Sequence, residues 1–303
     1  MALICGAAGF IGSHAATVFR QQGWRVVSAG RSSQGLTRNC PQDEMFYIGD
    51  FKDPNYVDAL LNEVKPSRVI FVAGPANVQQ SFIDPVLDFH NQMLPLINVL
   101  DAARKLSKPP GVLLVSSAAV YGNPVTVPVA ESMQLSPISP YGFHKLQQEM
   151  LLDEYSKIYG LPTCKARVFS TYGAGLRHLA VWDITQRALK GEYVLQGSGE
   201  ESRDYLHVSD LARALEKICK SSAFEGEAIN VASGDELEIS KLAALIYREL
   251  GLTNAPHFAG SELSGSPRRW QANIETLAGL DFKQCMPIEQ GIRETVNWIR
   301  NNA

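Results

Sequence analysis

Met1 is followed by the apolar run Ala2-Leu3-Ile4-Cys5 and then at once by Gly6-Ala-Ala-Gly9-Phe-Ile-Gly12. A strand-length apolar run that breaks on glycine and reopens with helical periodicity is a strand-to-helix turn. Glycine suits such a turn because a Cβ would crowd it. The turn also aims backbone N–H groups and the positive helix end at one place, where a pyrophosphate fits. The spacing is GxxGxxG rather than GxGxxG, and glycines used only for packing would leave a similar string. Its position between the first strand and the first helix gives the motif its weight. Gly6, Gly9, Phe10, Ile11 and Gly12 are the residues it offers to a dinucleotide.

The rhythm continues through the first half of the chain. Strand-length apolar runs occupy residues 2–5, 25–29, 45–48, 68–73, 112–116 and 163–169. Helical periodicity occupies 12–22, 54–64, 85–106 and 141–159. This alternation predicts the α/β class, as a Rossmann-type doubly wound parallel sheet with helices on both faces. Ligands of such sheets bind beyond the carboxyl ends of the strands. Past about Tyr172 the elements shorten, with Gly/Ser breaks at 197–199 and 261–266. The expected organisation is a dinucleotide-binding Rossmann domain over residues 1–172 and a smaller C-terminal α/β substrate-binding lobe over 173–303. The boundary is soft and interleaved. The length of 303 residues suits two such units.

Composition narrows the partners. The net charge of −3 gives no overall basic field, so neither nucleic acid nor an anionic membrane surface is expected. No apolar stretch approaches the roughly 18 residues that span a bilayer. The N-terminus carries no secretory pattern. Cys5, Cys40, Cys164, Cys219 and Cys285 are odd in number and lack metal-ligand spacing. They read as free thiols in a reducing, cytoplasmic setting. His14, His90, His144, His178, His207 and His257 are scattered, so no metal is expected. Trp24, Trp182, Trp270 and Trp298 read as packing residues, with Trp270 the best placed to face a base.

The end of the second strand bears on the cofactor. An acid there would hold the ribose 2′-OH of NAD. The chain reads Val26-Val-Ser-Ala-Gly30-Arg31-Ser32-Ser33, without a carboxylate. Arg31 with Ser32 suits a 2′-phosphate, which favours NADP(H) over NAD(H), unless Arg31 is merely a solvated loop residue. Asp50 and Phe51, after the third strand, are placed to meet an adenine, or are simply turn residues.

Tyr141 and Lys145 lie four residues apart on a predicted helix and so share one face. A phenol, with an ordinary pKa of about 10, is a poor base at neutral pH unless a cation favours the phenolate. Lys145 offers that charge, and an oxidised nicotinamide would add to it. Ser117 ends the fifth predicted strand and is placed to hold the same substrate oxygen, and Ser116 beside it is assigned to the cofactor. The trio Ser117, Tyr141 and Lys145 fits acid–base assistance of hydride transfer at a carbinol carbon. Tyr-x-x-x-Lys alone is commonplace. It gains weight from the glycine turn upstream and from Ser139-Pro140, which breaks the chain just before the helix.

Five segments together carry a resemblance: Gly6 to Gly12, Val115-Ser-Ser-Ala-Ala-Val-Tyr-Gly122, Ser139-Pro-Tyr-Gly-Phe-His-Lys145, Arg167-Val-Phe-Ser-Thr-Tyr-Gly173 and Arg203-Asp-Tyr-Leu-His-Val-Ser-Asp210. In this order they resemble the NAD-dependent epimerase/dehydratase family, extended short-chain dehydrogenases that modify nucleotide sugars. The resemblance implies catalytic roles for Ser117, Tyr141 and Lys145. It implies that Ala73, Gly74 and Pro75 line the dinucleotide and that Val168 and Phe169 lie near the nicotinamide. It implies that Arg203 holds the substrate's phosphates; the plainer alternative is a surface arginine bridging to Asp204. It further implies a homodimer that pairs the helices at 85–106 and 141–159.

The chain departs from that family in four places. Ala118-Ala119 stand where dehydratases carry an Asp-Glu pair, which argues against 4,6-elimination. Ser170 stands where Asn is common. The late loop Leu263-Ser-Gly-Ser266-Pro-Arg-Arg-Trp270 lacks the usual charges, with Arg268 or Arg269 as replacements for a phosphate contact. The acid that selects NAD is missing. These departures slightly favour a 4-keto-sugar reductase using NADPH. The alternative is a nucleotide-sugar C4 epimerase with tightly bound NAD. A second alternative is a non-catalytic dinucleotide-sensing protein.

Overall fold

A computed structural model of the chain describes residues 1–32, 45–260 and 267–302. Ser33, Cys40 and the first part of the late loop, Leu263 to Ser266, lie outside the described residues. The strands are β1 (Ala2–Cys5), β2 (Val26–Gly30), β3 (Phe46–Ile48), β4 (Arg68–Phe71), β5 (Gly111–Ser117), β6 (Thr163–Val168), β7 (Ser170–Tyr172), β8 (Val194–Leu195), β9 (Ser202–His207), β10 (Glu225–Val231), β11 (Glu236–Glu238) and β12 (His257–Phe258). The helices are α1 (Phe10–Gln21), α2 (Pro54–Val64), α3 (Val78–Ile83), α4 (Pro85–Lys105), α5 (Pro140–Tyr159), α6 (Leu179–Leu189), α7 (Val208–Ser221), α8 (Ile239–Glu249), α9 (Glu275–Gly279) and α10 (Ile288–Asn302).

Seven parallel strands form the main sheet in the order β10-β6-β5-β4-β1-β2-β3. Successive side chains of a strand go to opposite faces. Ile4 and Leu113 therefore enter the core under α1 and α7, with Phe19, Leu211, Leu215 and Ile218. Leu3 and Leu114 enter the core under α2, α4 and α5, with Leu61, Leu96, Leu100 and Leu152. Burial on both faces explains why these strands read as continuous apolar runs. The strand order reverses between β1 and β4, which leaves a crevice at their carboxyl ends.

Local chemistry sets where the helices start. Asp53, Asn77, Asp84 and Ser139 each accept a backbone N–H of the helix that follows. Pro54, Pro85 and Pro140 fill first-turn positions where the missing N–H costs nothing. The Ser139 cap, with Pro140, puts Tyr141 in the first turn of α5. The predicted boundaries that shift by two residues do so for local reasons. The fourth strand stops at Phe71, because Val72 to Gly74 leave the sheet and Gly74 turns to φ +137°. The first helix starts at Phe10, because Gly9 is its cap.

The second half is more regular than its composition implied. Val208, Leu211, Ala212, Leu215, Ile218 and Cys219 recur at helical spacing and are buried along α7. β10 returns from beyond residue 172 to the edge of the main sheet, beside β6. A separate sheet, β11-β9-β7, carries the other lobe, whose core includes Tyr172, Ile184, Tyr205, Ile246 and Val296. Cys5, Cys164 and Cys219 are buried free thiols, and Cys285 is an exposed one. No described helix is long and apolar enough to cross a membrane.

The tightest backbone approach lies at the head of α1. A Cβ at Gly12 would sit 2.2 Å from the Gly6 carbonyl oxygen and 2.9 Å from Ala7 Cα, both backbone atoms that cannot swing aside. Gly12→Ala is expected to destabilise the fold by about 1–3 kcal/mol through overpacking. Chemical denaturation of the two proteins measures this, and equal stability would mean that the turn tolerates a side chain.

Candidate active site

The crevice at the strand ends is built first from glycine. Gly6 adopts φ +92°, and a Cβ there would lie 2.9 Å from the backbone N of Ala73, so the glycine turn and the loop after β4 abut. Gly9 caps α1 without a side-chain bond, and the first turn holds no acid. The positive helix end is thus left for an anion at the crevice, a cradle that fits a pyrophosphate. Ala73 makes the contact with Gly6, and Gly74 and Pro75 follow it in the same loop. Arg31 and Ser32 are exposed just past β2. Asp50 is exposed and accepts the Lys52 N–H at 3.0 Å, which makes it a turn residue as well. Phe51 differs from its expected place: its ring is buried in the core, edge-on to Tyr56 at 5.9 Å.

The predicted trio comes together. β5 delivers Ser117 to the crevice, where its hydroxyl hydrogen-bonds Tyr141 and accepts the Ala119 N–H at 3.2 Å. Tyr141 is buried on α5, and its N–H donates to Ser81 Oγ at 3.1 Å. Burial pushes the Tyr141 phenol up to about 12, the Ser117 hydrogen bond pulls the other way, and the Asp88 carboxylate adds to the rise. Burial also brings Lys145 down to about 8, against the opposing pull of Asp88 and Glu149. Lys145 Nζ lies 5.9 Å from the centre of the Tyr141 ring and donates to Val115 O at 3.3 Å and Gln148 Oε1 at 3.0 Å. Lys145 was expected to favour the phenolate; here its bonds run to other acceptors, and the phenol remains high.

A buried network underlies the trio. Arg167 of β6 grips Glu149 of α5 through Nε at 3.1 Å and a terminal nitrogen at 2.8 Å. Ser116 Oγ donates to Glu149 Oε1 at 2.6 Å, so the hydroxyl assigned to the cofactor is committed to α5. Arg167 also donates to Tyr121 Oη at 2.9 Å, and Tyr121 donates to Asn230 Oδ1 at 2.7 Å. Asp88 and His144 form a second buried pair at 2.5 Å. The sequence reading assigned no role to Glu149, Gln148 or Asp88. The legible signal was spacing, since Gln148 and Glu149 follow Lys145 by three and four positions and share its helix face.

The substrate side is only partly as expected. Val168 ends β6, and the Phe169 ring meets Trp270 at 5.8 Å. Trp270 donates its indole N–H to Gly122 O at 3.2 Å, and the Arg203 guanidinium lies 5.5 Å from its ring. Burial lowers the pKa of Arg203. Asp204 is no partner for Arg203: its carboxylate accepts from Ser233, Gly234 and Ala272 instead. Ser170 is half-buried at the start of β7. Arg269 is exposed and bound through two nitrogens to Glu236 at 2.8 and 2.6 Å, which takes up the guanidinium expected to meet a phosphate. Arg268 is exposed, and its backbone N–H donates to Asn123 Oδ1 at 2.9 Å.

Known proteins share this fold. The chain is 28% identical to the UDP-glucose 4-epimerase of Mycolicibacterium smegmatis, over 99% of this chain and 99% of that protein. The Thermus thermophilus UDP-glucose 4-epimerase, solved in complex with NAD, superposes with a TM-score of 0.89 at 27% identity, over 100% of this chain and 99% of that one. The Thermotoga maritima UDP-glucose 4-epimerase, solved with UDP-glucose, superposes with a TM-score of 0.90 at 26% identity, over 99% of each chain. The model of the NAD dependent epimerase/dehydratase family matches residues 2–232, three quarters of the sequence, and the chain belongs to that family.

Proposed function

We propose that this protein is a nucleotide-sugar 4-epimerase that works with a retained nicotinamide dinucleotide. The observation that carries the reading is the Ser117–Tyr141 hydrogen bond beside the buried Lys145, at the mouth of a glycine cradle built for a pyrophosphate. Full-length similarity to UDP-glucose 4-epimerases supports it over the reductase that the sequence slightly favoured.

In this reading the C4 hydroxyl of the sugar lies between Ser117 and Tyr141. Ser117 holds the oxygen and Tyr141 takes its proton as the C4–H bond breaks. A nicotinamide dinucleotide held by the glycine cradle would supply the hydride acceptor and donor and, oxidised, a positive ring charge. After the 4-keto sugar turns over, Tyr141 returns the proton to the new hydroxyl. The only change is inversion at C4. Ala118 and Ala119 leave elimination at C5–C6 without an acid–base pair at that position. Arg203 meets the diphosphate.

A second reading, the 4-keto-sugar reductase using NADPH, rests on Arg31 and Ser32 at the end of β2 and on the absence of an acid there. A homodimer belongs to the proposal too. α4 and α5 pack together and leave Val86, Leu87 and Leu94 of one and Met150 and Ile158 of the other exposed, an apolar face suited to a second copy.

Three measurements test these points. Denaturing the purified protein is expected to release near-stoichiometric NAD; an empty site that selects NADPH would move the assignment to the reductase. Tyr141→Phe is expected to lower UDP-glucose/UDP-galactose interconversion by about 10²–10⁴-fold with the dinucleotide still bound. Equal turnover, or none in the parent on any nucleotide sugar, would favour a sensing role. Leu94→Glu with Met150→Glu is expected to yield monomers by light scattering, and a dimer in that variant would place the interface elsewhere.

A further inference from the structure

Lys145 has three ammonium N–H bonds and two protein acceptors, Val115 O and Gln148 Oε1. Gln148 is fully buried, and its Nε2 donates to Gln92 O at 2.6 Å. Gln92, also fully buried, donates from Nε2 to Pro75 O at 2.9 Å. Its Oε1 has no hydrogen-bond partner and lies 2.8 Å from where a Cβ on Gly74 would stand. A flipped Gln92 amide would set two oxygens face to face at Pro75, so the orientation is fixed by that carbonyl. The ammonium is thereby joined, through two side-chain amides, to the loop that borders the dinucleotide cradle.

We propose that Gln148 is the positioning residue for Lys145, and that the Gln92–Gln148 pair sets the ammonium and the loop at 73–75 as one unit. The inference rests on the proposed site and names a residue that neither the motifs nor the relatives point to. Two of the ammonium's N–H bonds are fixed by Val115 and Gln148, and the third is left for a ligand. The acceptor also has electrostatic work to do. Lys145 is buried, and the charged and titratable groups around it are Asp88 of α4, paired with His144, Glu149 of α5, paired with Arg167 of β6, and the Tyr141 ring. Both carboxylates already have partners, so the direct acceptors of the ammonium are the Val115 carbonyl and the Gln148 amide oxygen, of which Gln148 is the shorter contact and the only side chain. Burial already brings Lys145 down to about 8, and removing an acceptor of its charged form acts in the same direction.

The test follows Lys145 itself. Protein labelled with [13C]lysine is titrated by NMR, with the Lys145 signal identified by its loss in Lys145→Met. Gln148→Met keeps the volume and removes the acceptor, and is expected to lower the Lys145 pKa by about one unit. Gln148→Glu supplies a charged acceptor and is expected to raise it by about one unit. The alkaline limb of kcat should move with it, down in the first variant and up in the second. A merely structural glutamine would change thermal stability in both and leave the titration in place. An unchanged Lys145 titration, or shifts of the same sign, would overturn the proposal; should Gln148→Glu not fold, the sign in Gln148→Met decides it. The titration needs no sugar. Opposite shifts without turnover of any nucleotide sugar would sink the epimerase assignment and keep the positioning role, and turnover with an unmoved titration would do the reverse.

Discussion

Glu149 and Arg167 form the buried ion pair on which the carboxyl end of the sheet depends. Taking two charges out of water costs several kcal/mol per ion unless hydrogen bonds satisfy them. Here the carboxylate receives Arg167 twice over and Ser116 once, while the guanidinium also reaches Tyr121 and the Glu131 carbonyl. That saturation joins α5, β5, β6 and the turn at Ala118–Tyr121 at one point. Ser117 lies one residue beyond Ser116, and Lys145 lies one helical turn before Glu149. The proposed catalytic trio therefore inherits its geometry from a pair outside it, the kind of support that holds reacting groups to fractions of an ångström.

Burial alone works against the reaction. It pushes the Tyr141 phenol up and the Lys145 ammonium down, so each is moved toward its neutral form. A protonated phenol cannot take a proton. The missing term is positive charge beside the phenol, which the oxidised nicotinamide of the proposed function would supply. In that reading Tyr141 would give up its proton more readily beside the oxidised ring and hold it more tightly beside the reduced one. Proton and hydride transfer would thus be coupled by electrostatics.

The fold was legible because period and punctuation agreed. Strands buried on both faces gave apolar runs, Ser139-Pro140 and Asp53-Pro54 marked helix starts, and the glycine turn had one structural use. The trio was legible for the same reason, since four-residue spacing on a helix and a strand end are local facts. What was not legible depends on contacts between distant segments. Phe51 was read as facing a ligand, yet its ring closes the core against Tyr56. Arg269 was read as available, yet Glu236, far away in sequence, holds it. Gln92 and Gln148 are 56 residues apart, and no single-helix pattern shows that the Gln148 amide reaches the Gln92 backbone carbonyl. The regularity of α7 is different: its apolar spacing was present in the sequence and was understated.

The interleaving of the chain explains how the substrate side keeps its place relative to the catalytic side. β10 adds to the main sheet beside β6, and its Asn230 accepts the Tyr121 hydroxyl within the network under Ser117. Only a few residues later, Ser233 and Gly234 donate to the Asp204 carboxylate. Asp204 directly follows Arg203, and neighbouring residues of a strand point to opposite faces. Fixing Asp204 thus fixes Arg203 on the other face of β9, against Trp270, whose indole is itself tied to Gly122 at the end of the turn that follows Ser117. Both routes from Ser117 to Arg203 combine hydrogen bonds with short covalent stretches, and the second closes on the contact between the Arg203 guanidinium and the Trp270 ring. A linker between two independent domains would let that separation vary, and a sugar diphosphate held at one end would not present its C4 hydroxyl reliably at the other.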